Sequence, residues 1–173
     1  MKKVILGATG SIGSSLARKL AESGEQVHLV GRDEDSLSEL ANELNSTFTT
    51  CDVLEENFSE KIVNDLKDES VNGLAYCVGS IDLKPLKLTK KSDFMQSFNL
   101  NLVSATEIIK SLADNLKASK GSIVLFSTVA VKQGFPNHAI VSSAKGAVEG
   151  LTLALAAEYA PNIRVNCIAP SLT

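Results

Sequence analysis

The 173-residue sequence predicts a single α/β domain whose parallel sheet is covered by helices on both faces, in three layers. Strand-like apolar runs alternate with helix-like amphipathic stretches along the whole chain. The runs VILG and IVLF are almost continuously apolar, as expected for parallel strands that are buried on both faces. The chain contains no internal linker, repeat or low-complexity segment, so one domain over residues 1–173 is predicted.

Each predicted strand is a short apolar or β-branched run. In chain order these runs cover residues 3–6, 26–30, 47–51, 71–78, 122–127 and 163–169. Glycines close three of them, because Gly7, Gly31 and Gly79 follow the first, second and fourth runs at the point where the chain must turn. Strands that are separated by helices pair in parallel.

The predicted helices show apolar residues at intervals of three or four. In chain order they cover residues 11–23, 35–44, 55–68, 92–117 and 140–159. Gly24 ends the first, and the third is expected to turn Phe58, Ile62, Val63 and Leu66 inward. In the fourth, Asp93 lies early and Lys117 late, as the helix dipole favours.

Charge and composition exclude several classes of protein. The net charge of −3 offers no electrostatic attraction to nucleic acid or to an anionic membrane. No apolar run approaches the roughly 20 residues of a membrane span. The start MKKVILGATG is interpreted as a buried strand rather than a signal peptide, so a cytoplasmic protein is expected. Cys51, Cys77 and Cys167 lack metal-ligand spacing and are expected to be buried, reduced thiols, and no metal site is predicted.

A glycine triplet lies between the first strand and the first helix. Gly7, Gly10 and Gly13 in LGATGSIG let the backbone approach a diphosphate, and the free N–H groups at the helix start attract the anion. This context predicts a Rossmann-type dinucleotide-binding domain. The other residues of the turn, Thr9, Ser11 and Ile12, are expected to contact the same cofactor.

The end of the second strand indicates which dinucleotide binds. Gly31 leaves room there, and the guanidinium of Arg32 suits the 2′-phosphate of NADP. NADP is therefore predicted, while Asp33 keeps NAD possible, since a carboxylate can bind the ribose hydroxyls. The alternative for Arg32 is a solvated loop charge.

Six segments resemble the short-chain dehydrogenase/reductase family over nearly the whole chain. They are GATGSIG, Cys51-Asp52-Val53, FNLNLVSA around Asn101, SIVLFSTVAV, SSAKGAVEGL and IRVNCIAPS. The resemblance implies hydride transfer between a nicotinamide and a carbonyl or alcohol carbon. It also implies cofactor contacts at Asp52, Val53, Gly79, Lys145 and Pro170.

The family's catalytic residues are only partly present. Lys145 and Asn101 match, and Thr128 occupies the position of the active-site serine, with Ser127 adjacent if the register shifts by one. The tyrosine position, four residues before Lys145, holds Val141, which cannot carry a proton. The family's Asn-Asn-Ala-Gly stretch reads Tyr76-Cys77-Val78-Gly79, and its Pro-Gly turn reads Pro170-Ser171.

Three functions remain open. The first is an oxidoreductase in which another group moves the proton. His138 is the candidate because it shares a helix face with Val141 and Lys145, and Tyr76 is a weaker one. His138 would otherwise only start the helix or bind a loop carbonyl. The second function is an inactive NADP(H)-binding regulator or scaffold. The third is a relative of epimerases and dehydratases that act on nucleotide-linked substrates.

The long helices also suggest an assembly. Helix 140–159 carries many small residues and a broad apolar arc. In the resembling family the two long helices form the dimer interface, so a homodimer or homotetramer through residues 92–117 and 140–159 is expected. The chain ends at Pro170-Ser171-Leu172-Thr173, directly after a strand, so a substrate loop and a last strand are expected to be missing.

Overall fold

The computed structural model of the protein describes residues 1–171 as an α/β domain. Six strands are present: β1 (Lys2–Leu6), β2 (Gln26–Gly31), β3 (Thr47–Thr50), β4 (Val71–Tyr76), β5 (Ser122–Phe126) and β6 (Arg164–Ile168). The α-helices are α1 (Ser11–Glu22), α2 (Glu34–Leu44), α3 (Phe58–Leu66), α4 (Lys91–Phe98), α5 (Ser104–Ala118), α6 (Ala130–Gln133) and α7 (Ala139–Tyr159). A short 3₁₀ turn covers Leu86–Leu88.

The strands form one parallel sheet in the order β3-β2-β1-β4-β5-β6. The chain winds outward from β1 in one direction and from β4 in the other. The connections therefore diverge at the carboxyl ends of β1 and β4, where a crevice opens. This is the predicted Rossmann-type, doubly wound architecture.

Two apolar cores lie on the two faces of the sheet. On one face α1 and α2 pack through residues such as Ala17, Leu37 and Leu40. On the other face α3, α5 and α7 pack through a larger core that includes Phe58, Ile108, Leu112 and Val148. The three predicted layers are confirmed.

The predicted helix over residues 92–117 is wrong as a single regular helix. A π-helical segment, Asn99–Val103, separates α4 from α5. A π turn inserts one extra residue and rotates the side chains that follow, which apolar periodicity does not reveal. The segment holds Asn101, whose side chain is buried.

Two other sequence expectations need correction. The helix predicted over residues 55–68 is shorter, and Val63 is 38% exposed rather than turned inward. Among the described residues, α7 is long and apolar enough, by length and composition, to span a membrane, so the expectation that no run approaches this length was wrong. In this structure α7 packs Ile140, Ala144 and Val148 into the protein interior, although only 28% of its most apolar stretch is buried.

A polar network links three strands and a helix at the amino ends of the strands. The Lys2 ammonium donates to Thr47 Oγ1 at 2.7 Å, and Thr49 Oγ1 donates to Asp65 Oδ2 at 2.7 Å. His28 lies between the two hydroxyls, with Nδ1 2.8 Å from Thr47 and Nε2 3.0 Å from Thr49. Because the Thr49 proton is used by Asp65, Nε2 donates and Nδ1 accepts. The network is therefore complete with a neutral imidazole.

We expect His28 to make the fold sensitive to acid. Burial, and secondarily the Lys2 charge, lower the pKa of His28 to about 4, below the 6.5 of an exposed imidazole. As pH falls below 6.5, His28 becomes protonated in the unfolded chain but stays neutral in the folded chain. The free energy of unfolding should drop by about 2 kcal/mol between pH 7 and pH 5. Denaturant unfolding at the two pH values measures this drop in the free energy of unfolding. His28→Gln, which cannot titrate, should lose most of this dependence, and an equal slope in both proteins would contradict the assignment.

Candidate cofactor and active site

The turn from β1 into α1 requires glycine at two positions. Gly7 has φ +73°, and a Cβ there would lie 3.0 Å from the backbone of Cys77. A Cβ on Gly13 would lie 2.2 Å from the carbonyl oxygen of Gly7. At Gly10 the nearest atom is 3.4 Å away, an ordinary contact. Gly10 caps α1 without a side chain, and the first turn of α1 contains no acidic residue. The helix start therefore offers free amide groups and a partial positive charge.

A long groove runs from this turn along the carboxyl ends of β1, β2 and β4. Its volume is about 390 Å³. It is lined by Gly7, Thr9, Gly10, Val30, Gly31, Arg32, Cys51, Asp52, Val53, Leu54, Cys77, Val78, Gly79, Ser80, Gln96 and Leu100. The fold thus brings most of the predicted cofactor residues to one surface, while Ser11 and Gly13 contribute to the helix start instead.

Arg32 and Asp33 have different surroundings at the outer end of this groove. The Arg32 side chain is 76% exposed, and its Nη1 lies 3.5 Å from Asp52 Oδ2. With Thr9 and Asp33 it lines a small open cleft. Asp33 Oδ1 accepts a hydrogen bond from the Ser36 amide at 2.7 Å, which caps α2 and lowers the pKa of Asp33. The carboxylate of Asp33 is therefore committed to the helix, and the Arg32 guanidinium is accessible.

A central pocket of about 230 Å³ adjoins the groove at Cys77, Val78, Gly79 and Ser80. Its other lining residues are Ile12, Ile81, Phe126, Ser127, Thr128, His138, Val141, Lys145, Pro170 and Ser171. Three of the four predicted catalytic residues line it, and the fourth, Asn101, lies directly behind Gly79. The lining is mostly apolar, so a polar group placed there is largely shielded from water.

The two adjacent hydroxyls after β5 are used differently. Ser127 is 6% exposed, and its Oγ donates to Glu149 Oε1 at 2.7 Å. Thr128 Oγ1 accepts from the Ala130 amide at 3.3 Å and retains its own proton. Of the two registers left open by the sequence, Thr128 is the one with a hydroxyl proton available to a ligand.

Lys145 and Asn101 meet beside Gly79. A Cβ on Gly79 would lie 3.0 Å from Asn101 Oδ1 and 3.2 Å from Lys145 Nζ. The Asn101 amide donates to Ser97 O at 2.9 Å, while its buried Oδ1 has no partner among residues 1–171. The lack of a side chain at position 79 thus leaves space for two polar groups. Sequence reasoning named all three residues, but the π turn that orients Asn101 left no signal in the apolar pattern.

Lys145 is held in an unfavourable place for a positive charge. Burial lowers its pKa to about 8, and the thiols of Cys167 and Cys77 oppose this only in part. No carboxylate of the described chain forms an ion pair with it. An ammonium with such a pKa changes its protonation state close to neutral pH.

The other proton-carrying candidates differ in position. His138 precedes α7, and its Nδ1 lies 2.7 Å from the Pro136 carbonyl oxygen, while its ring packs against Phe135. It therefore both starts the helix and binds a loop carbonyl, and it also lines the central pocket. Tyr76 is 2% exposed and donates to Leu100 O at 2.7 Å. Tyr76 belongs to the core and is therefore not a candidate proton donor.

The cysteines are free thiols, and Cys51 is buried as expected. Cys77 and Cys167 are only half-buried, which the sequence did not indicate. Burial raises the pKa of Cys77 to about 12, so the thiol that faces both cavities stays protonated at neutral pH. Residues 1–171 contain no group of three or more His, Cys, Asp or Glu side chains placed to hold a metal ion.

Comparisons with known proteins agree with this geometry. A family profile described as "Enoyl-(Acyl carrier protein) reductase" matches residues 7–173. An L-fucose dehydrogenase of Oryctolagus cuniculus is 33% identical over 96% of this chain, and this chain spans 61% of that protein. A tropinone reductase homolog of Arabidopsis thaliana is 35% identical over 99% of this chain and 70% of its own length.

Solved structures show the same fold. A "short chain dehydrogenase/reductase family protein" superimposes with a TM-score of 0.91 at 26% identity, covering 98% of this chain and 73% of that one. L-sorbose reductase from Gluconobacter frateurii, complexed with NADPH and L-sorbose, gives a TM-score of 0.94 over 99% of this chain and 69% of that one, at 24% identity.

The residues present fit a nicotinamide dinucleotide. Side chains at positions 7 and 13 would fill the turn against which a diphosphate would pack, and the buried, unpartnered Asn101 Oδ1 lies beside Gly79, which lines the same groove. The glycine turn, the crevice between β1 and β4, the matched profile and the related sequences all lead to one assignment. This chain belongs to the short-chain dehydrogenase/reductase family.

Proposed function

We propose that the protein is an NADP(H)-dependent oxidoreductase that interconverts a small carbonyl compound and its alcohol without the tyrosine usual in its family. One observation carries the proposal. Thr128 and Lys145 line a single, mostly apolar pocket, with Asn101 directly behind Gly79, and the pocket adjoins the groove that the glycine turn lines. This arrangement would be costly to maintain if no polar ligand used it, since it leaves Asn101 Oδ1 buried and unpartnered among the described residues and the charged Lys145 half-buried.

The chain's own residues would hold the cofactor along the long groove. The glycine turn and the first amides of α1, at Ser11 and Ile12, would bind the diphosphate. Asp52 and Val53 would contact the adenine, and Gly79 would let the nicotinamide ribose approach Lys145. Pro170 closes the central pocket from the other side. When bound, the reduced cofactor supplies a hydride to a carbonyl carbon.

Thr128 would orient the substrate. Its free proton can be donated to a carbonyl oxygen, which draws electron density away from the carbon. The apolar lining supplied by residues such as Val141 and Phe126 excludes water and strengthens that hydrogen bond. Small aldehydes, ketones and quinones are the substrates of suitable chemistry.

We expect Arg32→Ala to weaken NADPH binding selectively. Loss of a charge-assisted contact to the 2′-phosphate should reduce affinity by about 10- to 100-fold, while NADH affinity changes little. Titration calorimetry with each nucleotide measures both. The matched control is Arg18→Ala, because Arg18 is an exposed arginine on α1 that pairs with Glu43 at 2.7 Å, outside both cavities. Equal losses for NADPH and NADH in Arg32→Ala would argue against the NADP assignment.

A turnover assay tests the proposed activity. Oxidation of NADPH by the purified protein should be stimulated by at least one member of a panel of aldehydes, ketones and quinones. Lys145→Met should abolish this stimulation, since Lys145 is the only lysine that lines the central pocket among the described residues. A protein that binds NADPH tightly but turns over nothing would instead be a cofactor-binding regulator, the function favoured by the buried and chemically inert Val141.

We also propose a homodimer or homotetramer through α4, α5 and α7. Only 28% of the most apolar stretch of α7 is buried, and Leu153 is 74% exposed on its outer face. Such an apolar helix face is normally covered by a second copy. Light scattering at micromolar concentration should give at least a dimeric mass, and Leu153→Asp should lower it. Leu88→Asp, a change at another exposed leucine, is the control. A monomeric wild-type mass would refute the assembly.

A further inference from the structure

The central pocket lacks an obvious proton donor for the oxygen that Thr128 would bind. Val141 is 3% exposed and faces the pocket from the helical turn that precedes Lys145. Among the described lining residues, Cys77, His138 and Lys145 are ionisable, while Ser80, Ser127, Thr128 and Ser171 carry aliphatic hydroxyls, which donate hydrogen bonds but are not acids near neutral pH. The raised pKa of Cys77 makes its thiol too weak an acid, and Thr128 is a hydrogen-bond donor rather than an acid.

Lys145 lies where a proton donor for the substrate oxygen is needed. Its Nζ lies beside Gly79, which contributes no side chain between the ammonium and the crevice. Asn101 Oδ1 borders the same point and is without a partner among residues 1–171, so it can accept a hydrogen bond from the ammonium directly or through water. Val141 lines the same pocket and carries no group that could give a proton.

We infer that the ammonium of Lys145 itself, and not His138, donates the proton to the substrate oxygen during carbonyl reduction. This inference rests on the proposed function. The π electron pair of the C=O bond moves to the oxygen as the carbon receives a hydride from the reduced nicotinamide dinucleotide. The oxygen takes one proton from Lys145, which becomes a neutral amine. Solvent then returns a proton to the amine, and the oxidised dinucleotide and the alcohol leave.

His138 is a poorer donor for a geometric reason. Its Nδ1 lies within hydrogen-bond distance of the Pro136 carbonyl oxygen, which can only accept, so Nδ1 carries the proton. In the neutral ring the other nitrogen, Nε2, is then an acceptor with no proton to give. His138 could serve as an acid only in its cationic form.

The groups around Lys145 set the pH at which it acts. Cys77 follows β4, Cys167 lies on β6, Glu149 lies on its own helix α7, and His138 precedes that helix. Glu149 is bound by Ser127 and forms no ion pair with Lys145 among the described residues. Burial dominates and lowers the pKa of Lys145 to about 8. Carbonyl reduction needs the protonated ammonium, so its rate should fall as pH rises through this value. Alcohol oxidation needs the neutral amine, so its rate should rise as pH increases through the same value.

A labelling experiment tests the lysine without any assay of activity. The intact protein, with no nucleotide added, is treated with trace acetic anhydride across a pH series, and acetylation of Lys145 is measured by peptide mass spectrometry. Labelling should titrate with a midpoint near pH 8. Exposed Lys132 in the same digest is the comparison. A Lys145 midpoint no lower than that of Lys132 would overturn the inference.

Kinetic variants separate the inference from the proposed function. Lys145→Arg keeps the charge but holds its proton too tightly to give it up, so reduction should slow by about 100-fold or more. NADPH affinity, measured separately by calorimetry, should change less. In His138→Gln, the rate of carbonyl reduction should still fall as pH rises through about 8. If His138→Gln loses turnover and the fall in rate near pH 8, then Lys145 is not the proton donor, although the wild-type protein is still a reductase. If the wild-type protein reduces no carbonyl compound, the proposed function fails and the inference fails with it.

Discussion

Gly13→Ala is expected to abolish measurable nucleotide binding. The added Cβ would lie 2.2 Å from the Gly7 carbonyl oxygen and 2.9 Å from Ala8 Cα, so the β1–α1 turn must move. Both contacts are to backbone, which has no rotamer with which to escape. We expect NADPH affinity to fall by at least about 100-fold and the free energy of unfolding to fall by about 2 kcal/mol. Titration calorimetry and urea unfolding measure the two effects.

Gly10→Ala is the matched control for this change. It adds the same methyl group to the same turn, yet its nearest neighbour lies 3.4 Å away, an ordinary van der Waals contact. The fold of this variant should be preserved, and any loss of affinity then reports contact with the cofactor alone. Should Gly13→Ala bind NADPH as well as Gly10→Ala does, the close approach of β1 and α1 is not required for the site.

Val141→Tyr is expected to raise carbonyl reduction by about 10- to 100-fold, less than the full contribution of a positioned general acid, because Lys145 already serves as a proton donor. Position 141 lies one helical turn before Lys145 and lines the pocket that also holds Thr128. A phenol placed there would have its pKa lowered by the neighbouring ammonium and would give up its proton more readily. Steady-state kinetics on the best substrate of the panel, with kcat and KM separated, measures the effect.

Val141→Phe controls for the size of the ring. It fills the same space without a hydroxyl and should leave reduction at or below the wild-type rate. A gain that is equal in the phenylalanine and tyrosine variants would mean that packing, not proton transfer, is responsible. A tyrosine variant that folds and binds NADPH but gains nothing would show that position 141 does not face the reacting oxygen.

The sequence predicted the structure well where the identity of a single residue, or the spacing of apolar residues, determines it. The parallel pairing of the strands follows from the βαβ units, and the glycine turn follows from Gly7, Gly10 and Gly13. The sequence was a poor guide to Asn101, since the π turn that aims it costs one residue in a long helix and hardly disturbs the apolar pattern. It also could not distinguish Ser127 from Thr128, because the choice depends on Glu149, 22 residues away along the chain. The commitment of Asp33 to the cap of α2 likewise became visible only in three dimensions.

The network around His28 and the glycine turn lie at opposite ends of β1, about 17 Å apart at the usual rise of a strand. Lys2 ties down the amino end of that strand, and Gly7 follows its carboxyl end. Substitutions in the network should therefore lower the thermal stability alone, while substitutions in the crevice should lower the nucleotide affinity, together with stability where, as at Gly13, they strain the backbone. Because stability and binding depend on opposite ends of one strand, side chains in the pocket could change without destabilising the strand that carries them.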